Sequence, residues 1–253
     1  MHDTNREMDT RFWGPSGWKL LHSIAINYGL KKTITHKERD NFGIFFSTLE
    51  YVLPCKYCRM SLTQYVDELP IEDHLSTNED LNRWLYDIHN KVNKKLRDQG
   101  LLHDKDPSFR DIMKKYKALT KKRQCDICEL SSWDFLYSIC FNLPPRNSID
   151  MERKKNYILF FNYLAKVLPS THNRNKFQEY LDKYPIENNI DSRKRLTTWF
   201  YNFNCYNNKT ELNYNNVCHK YEKIRSKCEK KGAKVKGVKT CRKNTIKSPV
   251  KSD

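Results

Sequence analysis

Two cysteines three residues apart carry the chemistry this chain offers first, in the stretch Leu53-Pro54-Cys55-Lys56-Tyr57-Cys58-Arg59. Pro54 and the helical pattern that follows put both on the first turn of a helix. Unbonded amide hydrogens and the macrodipole favour a thiolate there, and Lys56 and Arg59 add positive charge. Thiols so placed can close a disulfide and be reopened by an incoming thiolate. Cys55 and Cys58 are therefore candidate dithiol–disulfide exchange residues. The competing reading is half of a zinc site, completed by Cys125-x-x-Cys128. The 66 residues between the pairs fit no compact ribbon or finger, so no metal is assigned. A second polar group shares helical faces: Trp18 with His22, and His89 with Asn93, with Asn90 on the neighbouring row. One such histidine is most often a satisfied core residue. Several ring-sized polar groups facing inward suit a planar polar ligand better.

These residues need helices to hold them. Segment 15–28 has Pro15 at a first helical position, then Trp18, Leu21, His22 and Ala25 on one stripe. Segment 36–53 places Phe42, Phe45, Phe46, Leu49 and Leu53 at helical spacing, and 55–67 follows Pro54. Ser76 and Glu79 form a capping box before Leu81, Trp84, Leu85, Ile88, Val92 and Leu96. Pro107 opens a fifth segment. Almost nothing alternates, so the class is all-α.

The second half repeats the first. A shift of 115 residues lays SGWKLLHSIAIN (16–27) on SSWDFLYSICFN (131–142), FFSTLEYVLP on FFNYLAKVLP, and LNRWLY on LTTWFY, in one ungapped register over 16–94. That indicates two tandem helical bundles, the second a degenerate repeat. The apolar framework survives while the reactive groups change. Cys55 and Cys58 meet Ser170 and Asn173, His22 meets Tyr137, His89 meets Asn204, and Asn90 meets Cys205. Four parts are expected: a catalytic domain over 1–120, a basic linker over 121–130, a pseudo-domain over 131–228, and a disordered basic tail over 229–253.

The formal charge of +17 comes from 47 Lys and Arg against 30 Asp and Glu. The tail supplies nine of the cations and two of the acids. No nucleic-acid motif accompanies the charge, so a solvated lysine-rich surface is favoured over nucleic-acid binding. Aromatics reach 13%, enough to fill a core. No window is apolar enough to span a membrane, and the N-terminus has no signal-like apolar core. Nine cysteines are expected to face a reducing compartment, where stable disulfides are rare. Pairing among Cys140, Cys205, Cys218, Cys228 and Cys241 stays open.

Trp13-Gly14-Pro15-x-x-Trp18-x-x-x-His22, Leu-Pro-Cys55-x-x-Cys58 and His89-Asn90-x-Val92-Asn93-x-x-Leu96 together resemble the Erv/ALR sulfhydryl oxidases over about 12–118. The resemblance implies a four-helix bundle plus a short fifth helix around FAD, often as a homodimer. It implies oxidation of protein dithiols to disulfides, with O2 reduced to H2O2. Cys58 resembles the flavin-proximal cysteine and Cys55 the outer one. Trp18, His22, His89, Asn90 and Asn93 are implied flavin contacts, with Trp13, Gly14, Tyr51, Val92 and Lys95 weaker ones. Cys125 and Cys128 could be a shuttle pair or a structural brace.

The chain departs from the family where many members place a structural disulfide: Tyr86 and Asp111 stand there. The 97–106 stretch is also longer than usual. The second copy is expected to bind no flavin, as the pseudo-partner of an intramolecular dimer or a recruiter of substrate. Motif style points to the large-DNA-virus type, acting in host cytoplasm, virus factory or virion on virion proteins. The alternatives are a thioredoxin-like oxidoreductase, which needs a βαβ pattern, and a zinc-binding adaptor that holds nucleic acid.

Overall fold

Asp9 starts the first helix. Its carboxylate accepts from the Arg11 amide at 2.9 Å and caps α1 (Thr10–Ile26). The helix thus begins five residues before Pro15, which it carries inside at the expense of one backbone hydrogen bond. The computed structural model describes residues 7–30, 33–122, 132–144, 149–209, 212–226, 233–235 and 238–240.

Thr35 caps α2 (His36–Ser47). The next residue, Thr48, turns its hydroxyl back onto the Phe45 carbonyl at 2.6 Å. The expected single helix over 36–53 is therefore two pieces, α2 and a short α3 (Leu49–Val52). Pro54 ends that run, and α4 (Lys56–Glu68) begins behind Cys55. Helix α5 (Asn78–Asp98) is capped by Thr77, which accepts from the Asp80 amide at 3.1 Å, one residue later than the box at Ser76 predicts. Helix α6 (Phe109–Lys122) completes the first copy. The second copy comprises α7 (Trp133–Phe141), α8 (Met151–Val167), α9 (Thr171–Lys183), α10 (Arg193–Asn208) and α11 (Tyr214–Ser226).

Tyr86 and Asp111, standing where a disulfide is common, are not simply gaps. The Tyr86 hydroxyl donates to the Pro107 carbonyl at 2.9 Å. Its ring meets Phe109 edge-on at 5.5 Å, and Arg83 covers the Phe109 face at 3.6 Å. Packing thus ties α6 to α5.

Equivalent helices of the two copies pack on each other, α1 on α7 and α2 on α8. Phe45 and Phe160, partners under the 115-residue shift, stack across the seam at 5.4 Å. At the crossing of α1 and α7 a Cβ on Gly17 would sit 3.0 Å from the Phe135 ring, so glycine sets the helix spacing. One buried apolar cluster runs through both copies. Such like-on-like pairing is the geometry of an isologous interface.

The basic tail is read from the sequence as disordered. Within it, Ala233–Val235 and Val238–Thr240 instead pair as a two-stranded antiparallel hairpin. The rest of the tail lies outside the described residues. Among the described residues, no helix is long and apolar enough to cross a membrane.

Candidate active site

Cys55 sits in extended backbone just before α4 and is its N-cap. Its sulfur accepts from the Cys58 amide at 3.3 Å, and its carbonyl accepts from the Cys58 and Arg59 amides at 3.0 Å each. Both thiols therefore lie on the first turn, at the positive end of the helix. Cys58 is half-buried. Cys55 is only 1% exposed, which the reading of an outer, substrate-facing cysteine does not anticipate.

What covers this corner is the chain ahead of α1. The Met8 amide donates to the Pro54 carbonyl at 3.0 Å, and the Trp13 indole donates to the Met8 carbonyl at 3.3 Å. Glu7 accepts from the Lys56 amide and pairs with Arg59 at 2.8 Å. A carboxylate on a helix N-terminus is favourable, so residues 7–8 form a strap pinned over the cysteines.

A partly open cavity lies between α1, α4 and α5, with Cys55 and Cys58 in its wall. It encloses about 140 Å³, where one water takes roughly 10–15 Å³. Of the residues expected to contact a flavin, Trp13, Gly14, Trp18, Val92 and Lys95 line it. Gly17, Ser61, Leu62, Leu85, Ile88 and Gln99 line it too, and sequence reasoning placed none of them in a site. A signal for three of them existed: Leu62, Leu85 and Ile88 meet Phe177, Phe200 and Phe203 in the second copy.

His22 and His89 stand behind Trp18 and outside the cavity wall. Trp18 stacks on His89 at 3.8 Å and 10°, the two imidazoles share a hydrogen bond at 3.2 Å, and Tyr116 stacks on His22 at 4.6 Å. Burial, then His89 and Lys115, push the His22 pKa down to about 3. Burial with Lys115 pushes His89 down to about 4 against the opposing pull of Asp106. Both rings are neutral at pH 7. Burial pushes the Tyr116 phenol up to about 12.

The remaining expected contacts are spread out. The Asn93 amide donates to Asp106 at 2.7 Å, and Asp106 pairs with Arg97. Asn90 is half-buried on α5 away from the cavity. Tyr51 reaches into the second copy and donates to Glu152 at 3.3 Å. Cys125 and Cys128 lie outside the described residues, as do Cys228 and Cys241. Cys140, Cys205 and Cys218 are unbridged, and complete burial pushes the Cys140 thiol up. Among the described residues, no three His, Cys, Asp or Glu side chains could hold a metal ion.

The chemistry of the lining suits a ring with one polar edge. Leu62, Leu85 and Ile88 supply apolar wall. Lys95, bonded to Ser61 at 2.6 Å, and Gln99 supply polar groups from the end of α5. Gln99 is 3% exposed, yet neither atom of its amide has a hydrogen-bond partner among the described residues. Each such atom costs about 1–3 kcal/mol when left unmet. A guest presenting polar atoms would remove that cost.

Helix α4 is flanked by helices on both sides, with no βαβ unit around the cysteine pair among the described residues. This removes the structural requirement of the thioredoxin-like alternative.

Comparison with known proteins agrees. Over 87 residues the chain is 38% identical to a probable FAD-linked sulfhydryl oxidase of Acanthamoeba polyphaga mimivirus, covering 34% of this chain and 59% of that protein. It is 34% identical over 89 residues to a mitochondrial FAD-linked sulfhydryl oxidase of Saccharomyces cerevisiae, covering 35% of this chain and 45% of that one. An FAD-linked sulfhydryl oxidase of African swine fever virus is 33% identical over 84 residues, 33% of this chain and 67% of its own. The chain thus spans about half the length of the first two relatives. No solved structure matches. The Erv1/Alr family model matches residues 15–124 and, separately, 130–230. With both copies matched, the chain belongs to the Erv1/Alr family.

Proposed function

We propose that the chain is an FAD-dependent thiol oxidase that makes disulfides in protein dithiols and hands the electrons to O2, giving H2O2. The carrying observation is the cavity built against Cys55 and Cys58 on the α4 N-terminus. Trp13, Gly14, Trp18, Val92, Lys95 and Gln99 would hold the cofactor, and His22 and His89 would back the Trp18 ring. When bound, the flavin supplies the two-electron acceptor and its reoxidation by oxygen.

The protein's own steps are exchange steps. A substrate thiolate attacks the Cys55 sulfur of the Cys55–Cys58 disulfide, forming a mixed disulfide and releasing Cys58 as thiolate. The second substrate thiol, as thiolate, then displaces Cys55, so the substrate leaves oxidised by two electrons and short of two protons. The α4 amides stabilise the sulfur anions. With Cys55 covered, the Glu7–Met8 strap must shift before substrate can reach it.

The second copy is proposed to be a pseudo-domain that binds no flavin and stands where a homodimer partner would. Like-on-like packing of α1 on α7 and α2 on α8 supports this. So do Phe177 and Phe203, stacked at 4.2 Å at positions equivalent to cavity wall. We place the catalytic unit at 1–120 and the pseudo-domain at 131–228. Virion proteins in the infected host's cytoplasm are the proposed substrates, a reading supported by the viral relatives.

The test uses the full chain loaded with FAD. One flavin per chain, and oxygen consumption with dithiothreitol, are the expected results. Cys58→Ser should keep the flavin spectrum and lose turnover. Undiminished peroxide production by that variant, or two flavins per chain, would overturn the corresponding part.

A further inference from the structure

We propose that Gln99 is a positioning residue that sets the orientation and identity of the bound ring, by pairing its side-chain amide with the imide edge of an isoalloxazine. This rests on the FAD reading above. The residue lines the cavity, and its amide is buried and unmet on both its donor and its acceptor. Buried polar atoms in native proteins are nearly always satisfied, so a pair left open in a cavity wall marks where a ligand's polar atoms belong. An amide offers one donor and one acceptor side by side. The imide edge of an isoalloxazine presents N3–H between two carbonyls and answers with both. The apolar walls leave that edge no other planar donor–acceptor pair on α5.

The local structure holds Gln99 in place. It is the C-cap of α5. Gly100, at φ 68°, closes the helix: its amide donates to the Arg97 carbonyl and the Leu101 amide to the Leu96 carbonyl, each at 2.8 Å. That is a Schellman closure, and the positive φ suits glycine. Asp106 then anchors the following loop to Arg97 and Asn93. Lys95, four residues earlier, lies on the same helix face.

This loop is also where the copies part. Tyr116 stacks on His22 as Tyr221 stacks on Tyr137, but these tyrosines are 105 residues apart rather than 115. Five of the ten extra residues of the first copy lengthen α5 relative to α10, and five lie in the connection to α6 that begins at Gln99.

The adenine edge of FAD also offers a donor beside an acceptor, and the test separates the two. Full-length apoprotein, wild type and Gln99→Leu, is titrated with FAD and with N3-methyl-FAD, following flavin fluorescence. Wild type should prefer FAD by about tenfold, the worth of a two-hydrogen-bond edge. Gln99→Leu should bind FAD about tenfold more weakly than wild type does and lose the preference. Its apoprotein should unfold at the same temperature or higher, since a buried unmet amide is gone. The inference is overturned if wild type binds both flavins alike, as adenine pairing predicts, or if Gln99→Leu still rejects the methyl group. Lowered apoprotein stability with the preference intact marks a merely structural glutamine, and also overturns it. Failure of wild type to bind either flavin would sink the FAD reading itself, a distinct result.

Discussion

The two copies share a framework and differ in what it encloses, and the difference separates structural residues from chemical ones. Arg59 bonds the Leu53 carbonyl at 2.6 Å, and its counterpart Arg174 bonds the Leu168 carbonyl at 2.6 Å. Trp84 donates to the Leu69 carbonyl and Trp199 to the Tyr184 carbonyl, both at 2.8 Å. These side chains hold the fold in either copy, so the charge of Arg59 is first a structural feature. Cys55 accepts from the Cys58 amide as Ser170 accepts from the Asn173 amide. The cap was kept and the sulfur was not. Even the His22–His89 contact has a polar equivalent, Asn204 donating to Tyr137 at 3.0 Å. That pair clamps the first helix to the last long one in both copies. The cavity wall is where the copies truly diverge, with Leu62, Leu85 and Ile88 against three fully buried phenylalanines.

Transplanting that wall should break the comparison most. Leu62→Phe, Leu85→Phe and Ile88→Phe together should leave a helical chain that binds FAD at least about 100-fold more weakly, because the rings take the guest's place. Unchanged flavin content in the purified variant would show that the cavity is not the site.

Exchanging the clamp is the next largest test. Both imidazoles are neutral in the fold, at about 3 and about 4, against 6.5 when free. Between those values the unfolded chain binds more protons. Stability is therefore complete above pH 6.5 and falls as the pH drops toward 4, by on the order of 3 kcal/mol for each ring. His22→Tyr with His89→Asn, copying the second domain, should remove most of that acid sensitivity in urea unfolding of the apoprotein. An equally steep pH dependence in the double variant would mean other groups set it.

In the second copy Arg174, the counterpart of Arg59, turns to Thr171 at 2.7 Å. Glu7→Ala loses the Arg59 pair and the contact to the Lys56 amide. Alkylation of Cys55 by iodoacetamide in the reduced protein should quicken by roughly tenfold, the worth of the lost contacts in local opening. An unaltered rate would mean that Glu7 does not guard the thiol.

The caps give the smallest effect. Ser170→Ala should cost about 1 kcal/mol in thermal unfolding, whereas Cys55→Ser should cost less than about 0.5 kcal/mol while ending thiol exchange. Equal losses in the two variants would deny that the positions share a capping role.

Much of this organisation was legible in the chain. The duplication, the helix stripes and Pro54 with its two cysteines follow from local patterns, while Trp13, Gly14, Val92 and Lys95 came into the site only through the family resemblance. Helix starts slipped by one residue at Thr77 and by five at Thr10, because a cap depends on which side chain reaches an amide. Gln99 carried no signal at all, being one polar residue in a polar run. Leu62, Leu85 and Ile88 read as core, since apolar spacing marks an inward face without telling whether that face meets atoms or space.

By itself, then, the order of residues determined where helices run, which thiols stand three apart, and that one bundle was copied with its reactive groups replaced. Spacing, caps and breaks act over a few residues, and a repeat needs only comparison of the chain with itself. Only the tertiary structure decided that the apolar stripes leave a cavity beside Cys58, that His22 and His89 face each other, that Glu7 and Met8 cover Cys55, and that equivalent helices meet across the seam. Each of these is a meeting of distant segments, set by the shape of closely packed side chains rather than by any one segment's composition.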